Sequence, residues 1–336
     1  MIDRLRGLAS ARLRSSVAFG GVALFGAGGV GLSCTSSASP TASGPIATIE
    51  LAQSPWNASR LDAAIARILL TTQLGVNVNV TEVDEYSQWA QIAAGTLHAS
   101  LEVRPSGHRA DIASYVTTGL VIDAGPLGPI GKIGWYIPSY LLTVHSELAT
   151  WHGFQSQATA DLFATGGTGA LGEFLAGDPT WTQYDADIIR NLGLSFTVVP
   201  AAAADADAEH AELADLAQAY AAGNPLLLYL WTPHWALTRY DLTEVALPPY
   251  TEACWAKAAS HGIDCDYPPD ALFKIVWPGL ASAAPKVNAF LANLQLTTAD
   301  QISLLTAVDG NAQSIDEAAN AWIGANTAIW QSWIPP

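Results

Sequence analysis

The residues best suited to bind a ligand lie in one stretch, residues 225–241, which reads PLLLYLWTPHWALTRYD. Indole faces attract poorly hydrated cations, and this stretch carries Trp231 and Trp235 beside the imidazole of His234. The apolar run before them is typical of a buried parallel strand, which ends at Pro233 because proline cannot donate to a sheet. Open α/β folds bind ligands at the carboxyl ends of such strands. The alternative is that both tryptophans only pack in the core.

Other aromatic residues are predicted at strand ends and in loops, where their rings could converge on one cleft. These residues are Trp56, Tyr136 and Trp181, together with Trp231. Each ring that faces a bound cation contributes about 0.5–2 kcal/mol. The remaining tryptophans fall in helices or amphipathic segments, where core packing is the expected role.

The first hundred residues predict alternating strands and helices. The predicted strands are residues 46–51, 76–83 and 99–103. The helices between them, at residues 58–73 and 86–94, have apolar residues on one face and are stopped by Gly75 and Gly95. This order predicts a parallel sheet with crossover helices.

The rest of the chain predicts a second unit of the same kind. Residues 134–138 are interpreted as a strand that leaves the first unit. The other predicted elements are a helix at 183–192, a strand at 194–200, an acidic helix at 205–222, the strand of the opening stretch, and helices at 269–276, 285–294 and 315–333. We therefore predict two α/β lobes around a cleft. Lobe I comprises residues 47–142 and 243–336, and lobe II comprises residues 143–242.

The N-terminus resembles a secretion signal. Four arginines within the first fourteen residues precede an uncharged apolar segment at 17–33, and Cys34 follows that segment directly. A cysteine in this place, followed by a Ser/Ala/Pro-rich tether over residues 34–46, resembles a bacterial lipoprotein signal, although Gly31 stands where that motif has an aliphatic residue. We predict a signal peptide at 1–33 and a lipid anchor on Cys34. The alternatives, ordinary cleavage or an uncleaved anchor, also place the folded part outside the cytoplasm.

The composition narrows the function classes. Half of the 336 residues are hydrophobic and 13% are charged, which is typical of a globular protein with a large core. The formal net charge is −16, so the surface repels phosphate groups and nucleic acid is excluded as a partner.

The cysteines and the short motifs give no sign of a metal, a cofactor or catalysis. In an oxidising compartment we expect Cys254 and Cys265 to form a disulfide, and two thiols without a nearby histidine pair are too few for a metal site. A G-x-G-x-x-G pattern at 167–172 follows a helix-like segment instead of a strand, so we expect no dinucleotide. No G-x-S-x-G, H-E-x-x-H or Walker pattern occurs, and we expect no enzyme activity.

Several motifs in combination resemble the glycine-betaine/proline-betaine substrate-binding proteins of ABC importers. Residues 230–235, LWTPHW, continued by residues 240–242, YDL, resemble the signature of that family. Residues 178–181, DPTW, resemble the segment of its second ligand tryptophan, about fifty residues upstream. Residues 125–128, 131–136 and 265–270 are similar to other family segments, and the resemblance runs from about residue 47 to 333.

This resemblance implies a type II periplasmic-binding-protein fold, in which two α/β lobes close on the ligand. It also implies a tryptophan cage around a quaternary ammonium group, while backbone amides and a polar side chain hold a carboxylate. On this basis Trp181 and Trp231 are candidate cage walls from lobe II, and His234 is a candidate carboxylate partner.

Three further positions complete the site that the resemblance implies. The loop at 54–57 would offer backbone amides or the Trp56 indole from lobe I, and Tyr136 is a further candidate. Arg104 stands where the family would place a first-lobe cage tryptophan. A guanidinium about 6 Å from a bound cation costs about 3 kcal/mol at an effective dielectric near 20, but it would favour a carboxylate by a similar amount. Arg104 therefore binds a carboxylate, pairs with Glu102 or faces solvent.

The predicted function is that of a lipid-anchored, extracytoplasmic, monomeric binding protein that delivers a betaine-type zwitterion to an ABC importer. Its expected partners are the small solute, the permease subunits and the membrane that holds its anchor. One alternative keeps the fold but changes the ligand to another carboxylate-bearing solute or the role to sensing. Another is an extracytoplasmic enzyme, for which the sequence offers no recognisable nucleophile, base and orienting group.

Overall fold

The computed structural model of this protein describes residues 46–201 and 208–336. The predicted signal peptide and Cys34 lie outside these residues, as does the start of the predicted helix at 205–222. Within the described residues, nine strands form one sheet. They are β1 (Thr48–Gln53), β2 (Asn77–Glu82), β3 (Ala99–Val103), β4 (Ile122–Pro138), β5 (Gly172–Ala176), β6 (Phe196–Pro200), β7 (Leu228–Thr232), β8 (Leu242–Glu244) and β9 (Pro269–Val276).

The helices lie between and after these strands. They are α1 (Asn57–Leu74), α2 (Ser87–Ala94), α3 (Arg109–Asp111), α4 (Gln157–Leu162), α5 (Asp185–Asn191), α6 (Ala208–Ala222), α7 (Ala236–Arg239), α8 (Glu252–Trp255), α9 (Leu280–Ala283), α10 (Pro285–Asn293), α11 (Thr298–Leu305), α12 (Ile315–Ala325) and α13 (Thr327–Trp330). Short 3₁₀ segments cover Ser139–Thr143, Ser146–Ala149, Trp151–Gln155, Ala258–Ser260 and Gln331–Trp333, and π-helical turns cover Ile112–Val116 and Thr306–Gly310.

The sheet has two parallel outer parts joined by antiparallel strands in the middle. The strand order is β2-β1-β3-β9-β4-β7-β5-β6, and β8 pairs with β4 beside this path. Strand β4 joins the two halves, because it pairs with β9 from Ile122 to Lys132 and with β7 from Lys132 to Tyr136. Strand β7 is antiparallel to β4 and parallel to β5, so the predicted parallel pairing holds on one of its sides.

Helix α1 shows how the sequence specifies the first half of the fold. Leu61, Ile65 and Leu69 recur every four residues and are fully buried on the face that packs against the core. The helix ends at Gly75, whose φ of 65° is left-handed and whose N–H donates to Leu70 O. The bounds of α1, β2, α2 and β3 lie within one residue of those predicted.

Several predictions about the elements were wrong or incomplete. The strand predicted at 134–138 begins at Ile122, the helix predicted at 315–333 is divided into α12, α13 and a 3₁₀ turn, and β8 was missed. Residues 269–276 form strand β9 and not a helix, because burial alternates with a period of two at Asp270, Leu272 and Lys274. Strand β5, Gly172–Ala176, was missed. The G-x-G-x-x-G pattern leads into β5 and does not follow a strand, unlike a dinucleotide-binding loop.

The predicted disulfide is present between Cys254 and Cys265, whose Cα atoms are 6.4 Å apart. The segment that it closes packs on the end of α5. There the Asn191 side chain donates to His261 O at 3.0 Å and to Ile263 O at 2.8 Å.

Candidate functional site

A small cavity lies at the carboxyl ends of strands from both halves of the sheet. It is lined by Trp56, Glu85, Arg104, Ile133, Trp181, Thr182, Tyr229 and Trp231. Four of the six predicted ligand-binding residues, Trp56, Arg104, Trp181 and Trp231, are therefore brought together.

Trp181 is the central ring of the aromatic lining. Its ring centroid lies 5.3 Å from that of Trp231 and 6.3 Å from that of Trp56, and each of these two ring planes makes an angle of 84° with the Trp181 plane. Tyr229 lies 6.3 Å from Trp181 and 6.0 Å from Trp231. Rings at these angles and separations pack edge to face. A cation could bind where an indole face stays open to the cavity.

The loop before α5 fixes Trp181. Asp178 accepts hydrogen bonds from the backbone N–H groups of Thr180, through Oδ1 at 2.8 Å, and of Trp181, through its carbonyl at 2.9 Å. Gly177 lies directly under the indole, since a Cβ there would be 2.4 Å from the Trp181 ring. The segment DPTW after a glycine is thus a turn that holds one indole in place.

Strand pairing fixes the rings on β7. Trp231 is paired with Ile133 of β4, and Tyr229 precedes Trp231 by two residues. Residues two apart in a strand face the same side, so Tyr229, Trp231 and Ile133 line the same wall. Trp56 comes from the other half of the sheet, at the residue before α1, and is 6% exposed.

Arg104 follows β3, is 6% exposed and faces the cavity. Its guanidinium donates from Nη2 to Glu102 Oε1 at 3.2 Å and from Nη1 to Thr232 O at 3.4 Å. Gly131 makes room for it, because a Cβ there would be 2.7 Å from Nη1. Of the three predicted possibilities, the pair with Glu102 is present, solvent exposure is absent, and the guanidinium still lines the cavity.

A second buried carboxyl lies behind this ion pair. Burial raises the pKa of Asp62 well above its usual value, and the negative charge of Glu102 adds to that increase. Burial also raises the pKa of Glu102, against the opposing charge of Arg104. Asp62 Oδ2 accepts a hydrogen bond from the Gln301 side chain at 3.3 Å. Two carboxyl groups this close in the core favour holding a proton between them.

Glu85 follows β2 and brings a carboxylate to the cavity. It is 4% exposed. Its Oε1 accepts a hydrogen bond from Thr182 Oγ1 at 2.9 Å, and its Oε2 lies 3.2 Å from His108 Nε2. His108 Nδ1 lies 3.0 Å from Asp111 Oδ2. Burial alone would lower the pKa of His108, but the hydrogen bonds and charges of Glu85 and Asp111 outweigh burial and raise it.

His234 lies beside the cavity and does not line it. The ring is 1% exposed, and its centroid is 4.8 Å from that of Trp231, at an interplanar angle of 89°. Nδ1 accepts the backbone N–H of Ala236 at 3.1 Å, and Nε2 lies 3.3 Å from Glu209 Oε1. Both nitrogens thus face protein groups, which favours a role in positioning Trp231. Direct contact of His234 with a ligand carboxylate stays a prediction.

Tyr136 also lies outside the cavity lining. Successive residues of a strand face opposite sides, so Tyr136 points away from the side of β4 that carries Ile133. It is 4% exposed, and burial raises its pKa strongly. Trp235, assigned to packing, lines a separate groove with Tyr240.

Four lining residues were not predicted: Glu85, Ile133, Thr182 and Tyr229. Three carried a usable signal. Glu85 comes shortly after a predicted strand, at the sheet edge that binds ligands. Thr182 adjoins Trp181, and Tyr229 lies two residues before Trp231 in the same strand. Ile133 gave no signal, because its place depends on the pairing of β4 with β7.

Within 46–201 and 208–336, no group of three or more His, Cys, Asp or Glu side chains is arranged to hold a metal ion. In the same residues, no helix combines the length and apolar character that crossing a membrane requires.

Known proteins share this fold at low sequence identity. Lactococcal OpuAC, in its closed form complexed with glycine betaine, is 18% identical with a TM-score of 0.65, covering 86% of this chain and 99% of its own. The glycine betaine/L-proline-binding protein ProX from Borrelia burgdorferi is 15% identical with a TM-score of 0.68, covering 86% and 97%. An ABC-transporter choline-binding protein in complex with choline is 17% identical with a TM-score of 0.67, covering 85% and 91%.

These likenesses confirm the predicted periplasmic-binding-protein fold of type II. The sequence itself matches one family over residues 47–325, described as the substrate binding domain of the ABC-type glycine betaine transport system. The match contains every residue that lines the cavity. The chain therefore belongs to the family of substrate-binding domains of ABC-type glycine betaine transport systems.

Proposed function

We propose that this protein binds a betaine-type compatible solute in the cavity of Trp56, Trp181 and Trp231 and delivers it to an ABC permease. The observation that carries this proposal is the arrangement of the three indoles and Tyr229, whose ring centroids lie 5.3–6.3 Å from Trp181. Such a cage binds a quaternary ammonium group by cation–π attraction. The protein performs no chemistry in this role; binding energy favours a closed form that the permease recognises.

We also propose that the closing units are the two predicted lobes, residues 47–142 with 243–336 and residues 143–242. The cavity supports this division, since Trp56 and Arg104 come from one unit and Trp181 and Trp231 from the other. Strand β4 lies before this boundary and pairs with β9 of one unit and with β7 of the other, so it links the two units.

The protein would act outside the cytoplasm as a monomer, held to the membrane by a lipid on Cys34. Exposure to an oxidising compartment is consistent with the disulfide between Cys254 and Cys265. The test is growth of expressing cells with labelled palmitate: the label is expected in the wild-type protein and lost in Cys34→Ala. A label that persists in the variant, or is absent from both proteins, would contradict the anchor.

Intrinsic tryptophan fluorescence tests the proposed ligand, because three indoles line the cavity. Titration with glycine betaine is expected to change the emission in a saturable manner. Proline betaine, carnitine and choline serve as comparison ligands. The betaine proposal fails if none of the four compounds changes the emission or gives heat in calorimetry.

A second candidate ligand is a different carboxylate-bearing solute, favoured by the Arg104 guanidinium in the cavity wall. The Arg104→Trp variant separates the two candidates, because it restores an aromatic wall. A large gain in glycine betaine affinity in this variant would mean that the natural ligand is another solute. An unchanged or lower affinity supports the betaine.

A further inference from the structure

We propose that the cavity is built for a zwitterion, with Glu85 binding its cationic end and Arg104 its anionic end. This inference rests on the proposed function and narrows it. It makes Glu85 a ligand-binding residue. It also predicts that the protein discriminates against choline, a trimethylammonium compound without a carboxylate.

The carboxylate of Glu85 is placed for a cation. It is held at the cavity wall from both sides, by Thr182 Oγ1 at 2.9 Å and by His108 Nε2 at 3.2 Å. Each carboxylate oxygen has two lone pairs, so these contacts leave acceptor capacity toward the cavity. In a buried site, a fixed carboxylate attracts a cation more strongly than in water.

The surroundings of Glu85 keep this wall negative. Its partner His108 also faces a second carboxylate, with Nδ1 at 3.0 Å from Asp111 Oδ2. Two carboxylates and one imidazole sum to a negative charge whether or not His108 is protonated. The neighbouring hydroxyls, Tyr86 and Thr182, are neutral. Nothing in this cluster cancels the attraction for an ammonium group.

The guanidinium of Arg104 is placed for a carboxylate. A guanidinium has five N–H donors, and the hydrogen bonds to Glu102 and Thr232 O use two of them. Both contacts are at 3.2 Å or longer, so neither is a tight bidentate pair. Within the described residues, the remaining donors leave Arg104 able to bind a ligand oxygen in the cavity that it lines.

Two of the acids around Arg104 have other hydrogen-bond partners. Asp62 Oδ2 accepts from the Gln301 side chain at 3.3 Å, and the two oxygens of Asp270 accept from the backbone N–H and the hydroxyl of Ser106 at 2.7 and 2.8 Å. Burial raises the pKa of both carboxyl groups and of Glu102. A ligand carboxylate at Arg104 therefore competes chiefly with Glu102, whose contact is at 3.2 Å.

Choline tests whether the protein requires the carboxylate of the ligand, and a neutral isostere tests whether it requires the positive charge. Choline shares the trimethylammonium group of glycine betaine but would leave Arg104 facing a cation. The carbon isostere 3,3-dimethylbutyrate keeps the carboxylate and the shape but has no charge at the other end. Calorimetry on the wild-type protein is expected to show glycine betaine binding at least about tenfold more tightly than either compound, since a buried charge pair contributes about 1.5 kcal/mol or more.

Substitutions at Arg104 and Glu85 test which residue binds each charged end of the ligand. Arg104→Gln is expected to weaken glycine betaine binding about tenfold and to strengthen choline binding, while Arg104→Lys keeps part of the preference. Glu85→Gln is expected to weaken glycine betaine and choline about tenfold and to leave 3,3-dimethylbutyrate unchanged. Circular dichroism checks that each variant folds, and the wild-type comparison needs no variant.

The outcomes separate this inference from the function on which it rests. If the wild-type protein binds no trimethylammonium compound, both fall. If it binds glycine betaine and choline equally well, or if Arg104→Gln leaves their affinity ratio unchanged, only the zwitterion inference is overturned. Equal losses for all three compounds in Glu85→Gln would show that Glu85 merely supports the wall.

Discussion

Glu209 Oε2 accepts a hydrogen bond from the backbone N–H of Asn57 at 2.9 Å, across 152 positions of the sequence. Asn57 is the first residue of α1, and Trp56 before it has no side chain that could cap the helix. The other oxygen, Oε1, lies 3.3 Å from Nε2 of His234, which packs against Trp231. One buried carboxylate thus caps α1 beside Trp56 from one half of the site and supports Trp231 in the other.

The Glu209→Gln variant is expected to bind glycine betaine about fivefold more weakly. Glutamine can still accept the Asn57 N–H, but the substitution removes a negative charge from the N-terminus of α1. A negative charge in this place stabilises a helix by about 1 kcal/mol, which corresponds to about fivefold in affinity. This loss destabilises only the form of the protein in which Glu209 of α6 contacts Asn57 at the start of α1. Calorimetry of the variant measures it.

Glu212→Gln is the matched control, one helical turn along α6. Glu212 is 1% exposed, and no described residue hydrogen-bonds its carboxyl oxygens. Burial, followed by the charges of Glu209 and Asp185, raises its pKa well above the usual value, so glutamine mimics its neutral form. Its affinity should stay within about twofold of wild type. Equal losses at both positions would refute the specific contact.

Loss of a cage ring should weaken binding much more than loss of a tryptophan outside the cavity. Trp181→Leu or Trp231→Leu removes a face from the bound cation, at about 1–2 kcal/mol, so glycine betaine affinity should fall about tenfold. Trp235→Leu serves as the control, since Trp235 is as buried as these residues but does not line the cavity. An equal loss in Trp235→Leu would mean that stability, and not the cage, explains the effect.

Asp185 is expected to make folding stability depend on pH. Its Oδ1 accepts Trp135 Nε1 at 2.6 Å and Tyr267 OH at 3.0 Å, yet burial outweighs these bonds and raises its pKa to about 6. The folded state therefore holds the proton more tightly than the unfolded chain. The contribution of protonated Asp185 to folding stability is full below about pH 4 and is lost as the pH rises through about 6.

Asp185→Asn keeps an acceptor for both donors but does not titrate. Relative to this variant, the wild type should lose about 2.4 kcal/mol of unfolding free energy between pH 4 and pH 7.5. Urea unfolding of both proteins at the two pH values gives the difference. A difference that stays constant within about 0.5 kcal/mol would contradict ionisation of Asp185 in this range.

The disulfide is expected to contribute about 2–3 kcal/mol to stability, because it closes a short loop in the unfolded chain. The double variant Cys254→Ser/Cys265→Ser should show this loss in urea unfolding. Wild-type protein unfolded in the presence of a reductant provides the control and should behave like the variant. A reductant that changes nothing would mean that the bond is not formed in solution.

Much of the fold could be predicted because local patterns and long-range packing agree. In α1 the apolar face and the glycine after it specify the same helix that the core requires. The prediction for β9 was wrong because the buried face of this strand carries a lysine. Lys274 is fully buried and donates to Ala292 O at 3.1 Å, and burial lowers its pKa to about 8. A lysine can be buried in the middle of a sheet only where carbonyl groups distant in sequence accept its hydrogen bonds, and a local pattern does not show them.

The site could be predicted where the residue type and its local sequence indicated a binding role. Trp181 and Trp231 are unusual residues beside turn signals, and their spacing matched a known family. His234 was equally conspicuous, but its partner Glu209 comes from α6, which no local pattern relates to it. Arg104 could be flagged as a departure from the family. Its pairing with Glu102 could only be seen as one of three possibilities before the structure placed both side chains.

A crystal structure of the protein grown with glycine betaine tests the central claim most directly. The account predicts the trimethylammonium group within about 6 Å of the ring centroids of Trp181 and Trp231, with the carboxylate on the Arg104 side of the cavity. A ligand bound outside this cavity, or one whose ammonium group avoids the indoles, would contradict it.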